Sequence, residues 1–359
     1  MKKSTYLLGI FLFSIGILSC AKTGTGGEVV APQFSGFAED VENFLLEKKF
    51  SGAVLVANKR GIIFAKGYGQ CNKKQSDSAP IMPNSTFEIG SITKQMVAAS
   101  IMQLNQQKKL SVKDKLSKYF PDYAHGEEIT IEMLLNMHSG LTDYINSPDN
   151  FFPRKVYRQL EKNAYSNVQL EKDFVLKYFY DAPLLSTPNQ SYFYCNTNYY
   201  LLAKIIEMVS GLSYEEYMQQ NIFTPCKMTS TNIQFRTTDV TGYDKRGRSY
   251  SIPTELSFGC GDVNSSVIDL YKWTKAFTSG KVVSRKSFKQ MTKTESYGYG
   301  VVVQNGEIFH AGATNVFNSY CTYYPEKKEI IIVLINQPQN EKMAATFSRE
   351  IHNLLEKAK

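Results

Sequence analysis

The sequence is poor in the residues that hold metals or lock small folds. Its four histidines, His125, His138, His310 and His352, stand far apart in the chain. They lack the paired spacing of a metal site, so no metal is expected, and no motif calls for another cofactor. Six cysteines include no Cys-x-x-Cys. With Cys20 set aside for the reason given below, Cys71, Cys195, Cys226, Cys260 and Cys321 remain. An odd number leaves at least one thiol free, and the five read as small buried residues whose pairing the sequence does not fix. No run of five like charges occurs, although the formal net charge is +8. That dispersed excess describes a solvated surface and excludes a nucleic-acid footprint.

What is present fits a well-packed extracytoplasmic protein. Apolar residues make up 43% and aromatics 13%, enough for a full core, and 359 residues suggest about two domains. Lys2-Lys3 is followed by the apolar run Tyr6 to Leu18. That run is too short to span a bilayer and has the form of a signal-peptide core. Ile17-Leu18-Ser19-Cys20 resembles a bacterial lipoprotein box, in which the cysteine becomes the lipidated first residue. The expected layout is a signal peptide at 1–19, then a lipidated N-terminus and flexible tether at 20–33, then one functional unit at 34–359. Its place is the cell envelope, on the periplasmic or extracellular face of a membrane, held there through Cys20.

The pattern within 34–359 is strands, then helices, then strands. Val41–Lys49 reads as an amphipathic helix, and Gly52–Ala57 with Ile62–Gly69 as a hairpin. From Ser91 to about Ser279 the chain is mostly helical with long loops. The clearest helix is Asn198–Ser210, where Tyr199, Leu202, Ile205, Ile206 and Val209 share a face and Gly211 stops it. Tyr299–Val303 and Glu307–His310 flank the Asn305-Gly306 turn signal. Phe317–Tyr324, Glu329–Asn336 and a helix from Met343 to Glu356 follow. The economical arrangement is one antiparallel sheet built from 34–86 and 280–359, flanked by helices, with a mostly helical subdomain (87–279) inserted.

Ser91 lies where the sheet passes into that insert, and Lys94 follows three residues on. If a helix begins there, the two share a face. A hydroxyl at a helix N-terminus beside a lysine is suited to losing a proton and attacking a carbonyl. Ser19…Lys22 repeats the spacing but straddles the expected cleavage site. Tyr-x-Asn occurs at Tyr144…Asn146, Tyr165…Asn167 and Tyr194…Asn196. The first two read as surface turns, whereas Tyr194 and Asn196 run directly into the strongest helix, which would position them rigidly. His-x-Gly occurs at His138…Gly140, a helix end, and at His310…Gly312 on a strand. Gly312 would let a substrate backbone approach, and the amides of Ser91 and Ala313 could form an oxyanion hole.

Ser91-Ile-Thr-Lys94, Tyr194-Cys-Asn196 and His310-Ala-Gly312 together resemble the three motifs of the serine β-lactamases and penicillin-binding proteins. The Tyr-x-Asn form is closest to class C β-lactamases and related D-aminopeptidases, D,D-carboxypeptidases and esterases. Leu134 to Leu141 and Gly261 to Trp273 agree, and the likeness extends from about Val41 to Leu355. It implies a β-lactamase-like α/β (α+β) fold and a serine hydrolase with no cofactor, acting on a small-molecule or peptide substrate. It further implies Ser91 as the acylated nucleophile, Lys94 as its base partner and Tyr194 as proton shuttle. Asn196, His310, Gly312 and Ala313 would bind substrate. Glu132…Asn136 imitates a class A segment but precedes the second motif and reads as ordinary helix. Where relatives carry lysine and a hydroxyl, this chain has His310 and Ala311, and Val316 replaces a common glycine. A histidine is mostly neutral at pH 7 and alanine donates nothing, so recognition of a substrate carboxylate is expected to be weaker. The expected chemistry is acyl transfer from an amide or ester, such as a D-amino-acid peptide of the cell wall. The alternatives are a class C-like β-lactamase and a penicillin-binding sensor that does not turn over.

Overall fold

The structure is a computed structural model that describes residues 27–163, 170–233 and 237–359. The signal peptide, Cys20 and most of the tether expected at 20–33 lie outside the described residues. The end of that tether is not loose. Val29–Val30 forms strand β1, paired antiparallel with Ala65 and Phe64, and Pro32–Phe34 makes a single 3-10 turn.

Six further strands complete a seven-stranded antiparallel sheet. They are β2 (Gly52–Asn58), β3 (Gly61–Tyr68), β6 (Val302–Gln304), β7 (Glu307–Ala313), β8 (Asn318–Tyr324) and β9 (Glu329–Ile335), in the order β1-β3-β2-β9-β8-β7-β6. Two short strands, β4 (Phe87–Glu88) and β5 (Asn264–Ser265), pair separately at the entry to the insert. Both ends of the chain therefore build the sheet, and β2 against β9 is the seam between them, with Leu55 opposite Ile332. These two strands read as continuous apolar runs because each is covered on both faces. Val54, Val56, Ile331 and Val333 pack against helices α1 (Ser35–Glu47) and α5 (Met343–Lys357). Ala53, Leu55, Ile332 and Leu334 belong to the core shared with the insert. At the β6–β7 turn, Asn305 and Gly306 take φ of 51° and 76°, the backbone that an Asn-Gly hairpin turn requires.

Helix α2 (Thr93–Gln106) leads from the sheet into the insert. Every residue from Thr93 to Met102 is buried, so no face of this part of the helix meets solvent. Helix α3 (Asn196–Ser210) packs against it within the main core, so α2 is a central helix and not a surface one. Helix α3 ends at Gly211 with φ 75°. Helix α4 (Val267–Thr278) starts at Ser266, whose side chain accepts from Asp269 N. The single tryptophan, Trp273, is buried on α4 and donates to Gln95 Oε1 on α2 at 3.0 Å. Among the described residues no helix is long and apolar enough to cross a membrane.

Candidate active site

Ser91 is delivered by a tight turn. Gly90 has φ +51°, and a Cβ there would lie 3.0 Å from the Ala313 nitrogen on β7. The turn Gly90–Ile92 runs directly into α2. Lys94, in the first turn of α2, is fully buried. Its Nζ donates to Ser91 Oγ at 2.9 Å, to Asn196 Oδ1 at 2.8 Å and to the Cys260 carbonyl at 2.7 Å. Three acceptors use all three N–H bonds of an ammonium group. Burial works against the charge, but the ionisable Tyr194, Cys260 and Asp143 around it favour it, and the pKa stands above the ordinary lysine value. Lys94 in this form is a cation that donates to Ser91. It takes up the base role expected of it only after losing a proton. Its Nζ lies 5.0 Å from the centroid of the Tyr194 ring, within reach of a cation–π contact.

Asn196 is aimed by a residue that sequence reasoning missed. Its Nδ2 donates to Asp143 Oδ2 at 2.9 Å and its backbone N–H to the same oxygen at 3.0 Å, which leaves Oδ1 facing Lys94. Asp143 is buried and also accepts from the backbone of Ile145 at 2.8 Å and Asn146 at 3.1 Å. The next two residues of α3 are fixed the same way: Thr197 Oγ1 donates to the Thr142 carbonyl at 2.6 Å, and Ser139 Oγ donates to Asn198 Oδ1 at 2.6 Å. The Asn-Thr-Asn start of α3 is thus held along the 139–143 segment. Asp143 is the first carboxylate after the Leu134–Leu141 stretch, a position that could have marked it. Tyr144…Asn146 is not the surface turn expected, because Tyr144 is buried and its hydroxyl donates to the Leu256 carbonyl at 2.8 Å. Tyr165…Asn167 lies outside the described residues. Cys260 contributes through its backbone, and burial pushes its thiol up to about 11.

The third motif lies on β7 but differs from expectation in two respects. His310 is buried, and its ring is not among the groups lining the cleft, so it is not placed to bind substrate as expected. Its Nδ1 is 2.6 Å from the Ala311 carbonyl, which can only accept, so Nδ1 carries the proton. Nε2 then accepts from the Tyr297 hydroxyl at 3.0 Å. Burial first, and the Lys94 charge second, depress its pKa to about 3. Gly312 does line the cleft, but its missing Cβ makes room for the protein itself: a Cβ there would lie 2.0 Å from the Ile89 carbonyl. Ser319 Oγ donates to that same carbonyl at 2.7 Å. Ala311 and Ala313 alternate outward and face the cleft. The close approach of Ala313 to Gly90 brings the amides of Ser91 and Ala313 to one end of it. Val316 is buried against Gly242 and does not line the cleft. His138 contacts the Asn136 carbonyl at 2.8 Å, and Glu132 accepts from the Tyr299 hydroxyl; neither lines the cleft.

The cleft has a volume of about 1340 Å³. Ser91, Tyr194 and Asn196 line it together with Ala311, Gly312 and Ala313. Its outer part is formed by the 244–248 turn and by Asn340, Glu341 and Lys342. Among the described residues, one group of metal-ligating types gathers elsewhere: Glu329, His352 and Glu356. Its carboxylates are already paired with Lys327 and Lys359. All five cysteines among the described residues are free thiols.

A buried lysine joined to a serine and an asparagine, with a tyrosine beside it and an open strand opposite, defines an acylating serine hydrolase of the β-lactamase and penicillin-binding-protein type. The chain belongs to the Beta-lactamase family, whose family model matches residues 37–355. It is 29% identical over 329 residues to PbpX of Bacillus subtilis strain 168, a protein provisionally named as penicillin-binding. The match spans 88% of this chain and 78% of PbpX. The octameric penicillin-binding protein homologue from Pyrococcus abyssi is 27% identical with a TM-score of 0.71, covering 89% of this chain and 77% of that one. D-amino acid amidase from Ochrobactrum anthropi SV3, solved with D-phenylalanine, has a TM-score of 0.75 over 90% of this chain and 98% of its own. At 18% identity that last likeness is one of fold alone.

Proposed function

We propose that this protein is an envelope-anchored hydrolase that acylates Ser91 with amide or ester substrates built from D-amino acids, of the kind found in cell-wall peptides. The observation that carries the reading is the 2.9 Å contact between Lys94 Nζ and Ser91 Oγ, made by a fully buried lysine. The penicillin-binding names of the relatives fit a site that accepts an acyl group from a cell-wall peptide.

The chemistry follows from the proton count. With Lys94 an ammonium, the Lys94–Tyr194 pair must first release one proton; the pair, not one residue, is then the base. Ser91 Oγ attacks the substrate carbonyl and its proton passes to that pair. The oxyanion is held by the amides of Ser91 and Ala313. Tyr194 returns the proton to the leaving nitrogen or oxygen as the bond to carbon breaks, leaving an acyl-Ser91 ester. Water repeats the sequence in reverse roles and frees the acid. The lipid anchor at Cys20 would keep the cleft at the membrane surface, where such peptides are assembled.

Intact mass tests both parts. The soluble form from Lys22 onward is incubated with p-nitrophenyl acetate and, separately, with a penicillin, and Ser91→Ala serves as control. We expect a short-lived acetyl adduct that Ser91→Ala abolishes; no adduct from either reagent overturns acyl transfer. A penicillin adduct that turns over many times would instead mark a β-lactamase, and one that persists would mark a sensor. The same measurement on full-length protein extracted from membranes should find a diacylglycerol-bearing Cys20 as first residue. A mass equal to the unmodified chain overturns the anchor.

A further inference from the structure

The neutral third motif leaves open where an acidic substrate would be held. His310 is buried and uncharged, and Ala311 offers no side-chain donor. Yet the same cleft is lined by Lys245, Arg246, Arg248 and Lys342 against only Asp244 and Glu341. These charges are not equivalent. Asp244 is consumed by its own turn. Its Oδ1 accepts from the Arg246 and Arg248 backbone at 2.8 and 2.9 Å, and its Oδ2 pairs with the Arg248 guanidinium at 2.7 Å. Lys245 and Arg246 project from the tip of the turn, exposed, and among the described residues no ion pair joins either of them, or Lys342, to a carboxylate.

The base of the turn is fixed. Tyr243 N donates to the Asn336 carbonyl at 2.8 Å and its hydroxyl to Asn72 Oδ1 at 2.5 Å. Lys73 and Lys74 stand over the Tyr243 ring at 4.3 and 5.5 Å and add two more cations on this side. Cations gathered in a cleft with few counter-charges repel one another and raise the local concentration of anions. A guanidinium also matches a carboxylate with two parallel hydrogen bonds.

We propose that the 244–248 turn, with Lys342, is an anion subsite, in which Lys245 and Arg246 hold a substrate carboxylate away from the bond that is cleaved. The subsite supplies the charge that the third motif lacks. The proposal rests on acyl transfer at Ser91 and narrows its substrates to acidic ones.

Two substrate pairs that differ only in charge test it. One is mono-p-nitrophenyl glutarate against p-nitrophenyl butyrate, with the charge on the acyl side. The other is acetyl-D-alanyl-D-lactate against its carboxamide, with the charge on the leaving side. We expect a kcat/KM at least about 5-fold higher for the charged member of one pair, carried by KM, because two exposed cations act on one anion. The ratio should fall toward one in the double variant Lys245→Gln/Arg246→Gln and in 0.5 M NaCl, where the Debye length is about 4 Å. No charge preference in either pair overturns the subsite, as does a preference that survives the double variant. If all four substrates remain intact and Ser91 is not labelled, acyl transfer itself is overturned and the subsite with it.

Discussion

The two walls of the cleft are built on opposite electrostatic plans. On one, Lys94, Asn196 and Asp143 form a chain in which every charge has a partner and each hydrogen bond orients the next. On the other, His310, Ala311 and Gly312 present a neutral ring turned inward, a methyl group and bare backbone. The first wall is costly to build, since buried charges must be paired and satisfied, and that cost fixes the geometry around the nucleophile. The second is a sheet edge held close to the Ser91 turn by packing, through Gly312 against Ile89 and Ala313 against Gly90. In the proposed mechanism, activation of Ser91 is therefore electrostatic, and placement of its oxyanion site is steric. Variants on the two walls should fail in different ways.

The largest effect is expected on the charged wall, at a residue that need not touch substrate. Asp143→Ala removes the acceptor for both nitrogens of Asn196, so the amide is free to rotate and Lys94 loses a fixed partner. A misplacement of about 1 Å at this distance can cost roughly 100-fold. We expect the rate of Ser91 acylation by p-nitrophenyl acetate to fall by about that factor, with KM less affected. Asp143→Asn should lie between, because it keeps an acceptor for the backbone amides but turns a donor toward Asn196. Acylation at the wild-type rate in Asp143→Ala would remove Asp143 from the site.

The contrast between the walls also marks what the sequence made legible. Ser91, Lys94, Tyr194 and Asn196 could be found because each pair lies at a helix start with a fixed local spacing, and the structure brings Ser91, Tyr194 and Asn196 to one cleft with Lys94 buried and bonded to Ser91 and Asn196. The sheet assembled from both chain ends was readable from the order of strand-like and helix-like patterns. Asp143 and the Cys260 carbonyl were not, since one reaches Asn196 across 53 residues and the other is a backbone atom that any residue type supplies. The inward turn of His310 escaped notice for a related reason. Strand alternation says that neighbours face opposite sides, but which side meets the cleft depends on how β7 packs against Tyr297 and the Ser91 turn. Val29–Val30 was read as tether because two residues are too few to show a period.

On the neutral wall the expected failure is of stability first. A methyl group at Gly312 would stand 2.0 Å from the Ile89 carbonyl and 2.3 Å from Ser319 Oγ. The serine can rotate, but the carbonyl is backbone, so β7 or the Ser91 turn must move. Overpacking of this kind costs about 1–3 kcal/mol. Gly312→Ala should lower the unfolding free energy measured in urea by that amount and slow acylation of the fraction that remains folded. Unchanged stability would mean that the edge of β7 is not held by contact with Ile89, and the steric account of this wall would fall.

A third effect separates the walls by pH. Behind the neutral wall, His310 has its pKa depressed from 6.5 to about 3, chiefly by burial. Between those values the unfolded chain binds the extra proton, so His310 makes the fold lose stability as pH falls through that window. Behind the charged wall, Asp262 is buried and accepts from Gly259 N at 2.8 Å and the Tyr214 hydroxyl at 3.3 Å. Burial raises its pKa from 3.8 to about 7. Between those values the folded chain holds the extra proton, so Asp262 makes the fold lose stability as pH rises. The two slopes oppose each other between about pH 4 and 6.5, each limited to about 1.4 kcal/mol per pH unit. His310→Gln should remove the loss on the acid side, so that its melting temperature falls less than the wild type's from pH 6.5 to 4. Asp262→Asn should do the reverse and steepen that fall. Parallel melting curves for the two variants across this range would show that neither group titrates as its burial requires, and the electrostatic distinction between the walls would then rest on Lys94 alone.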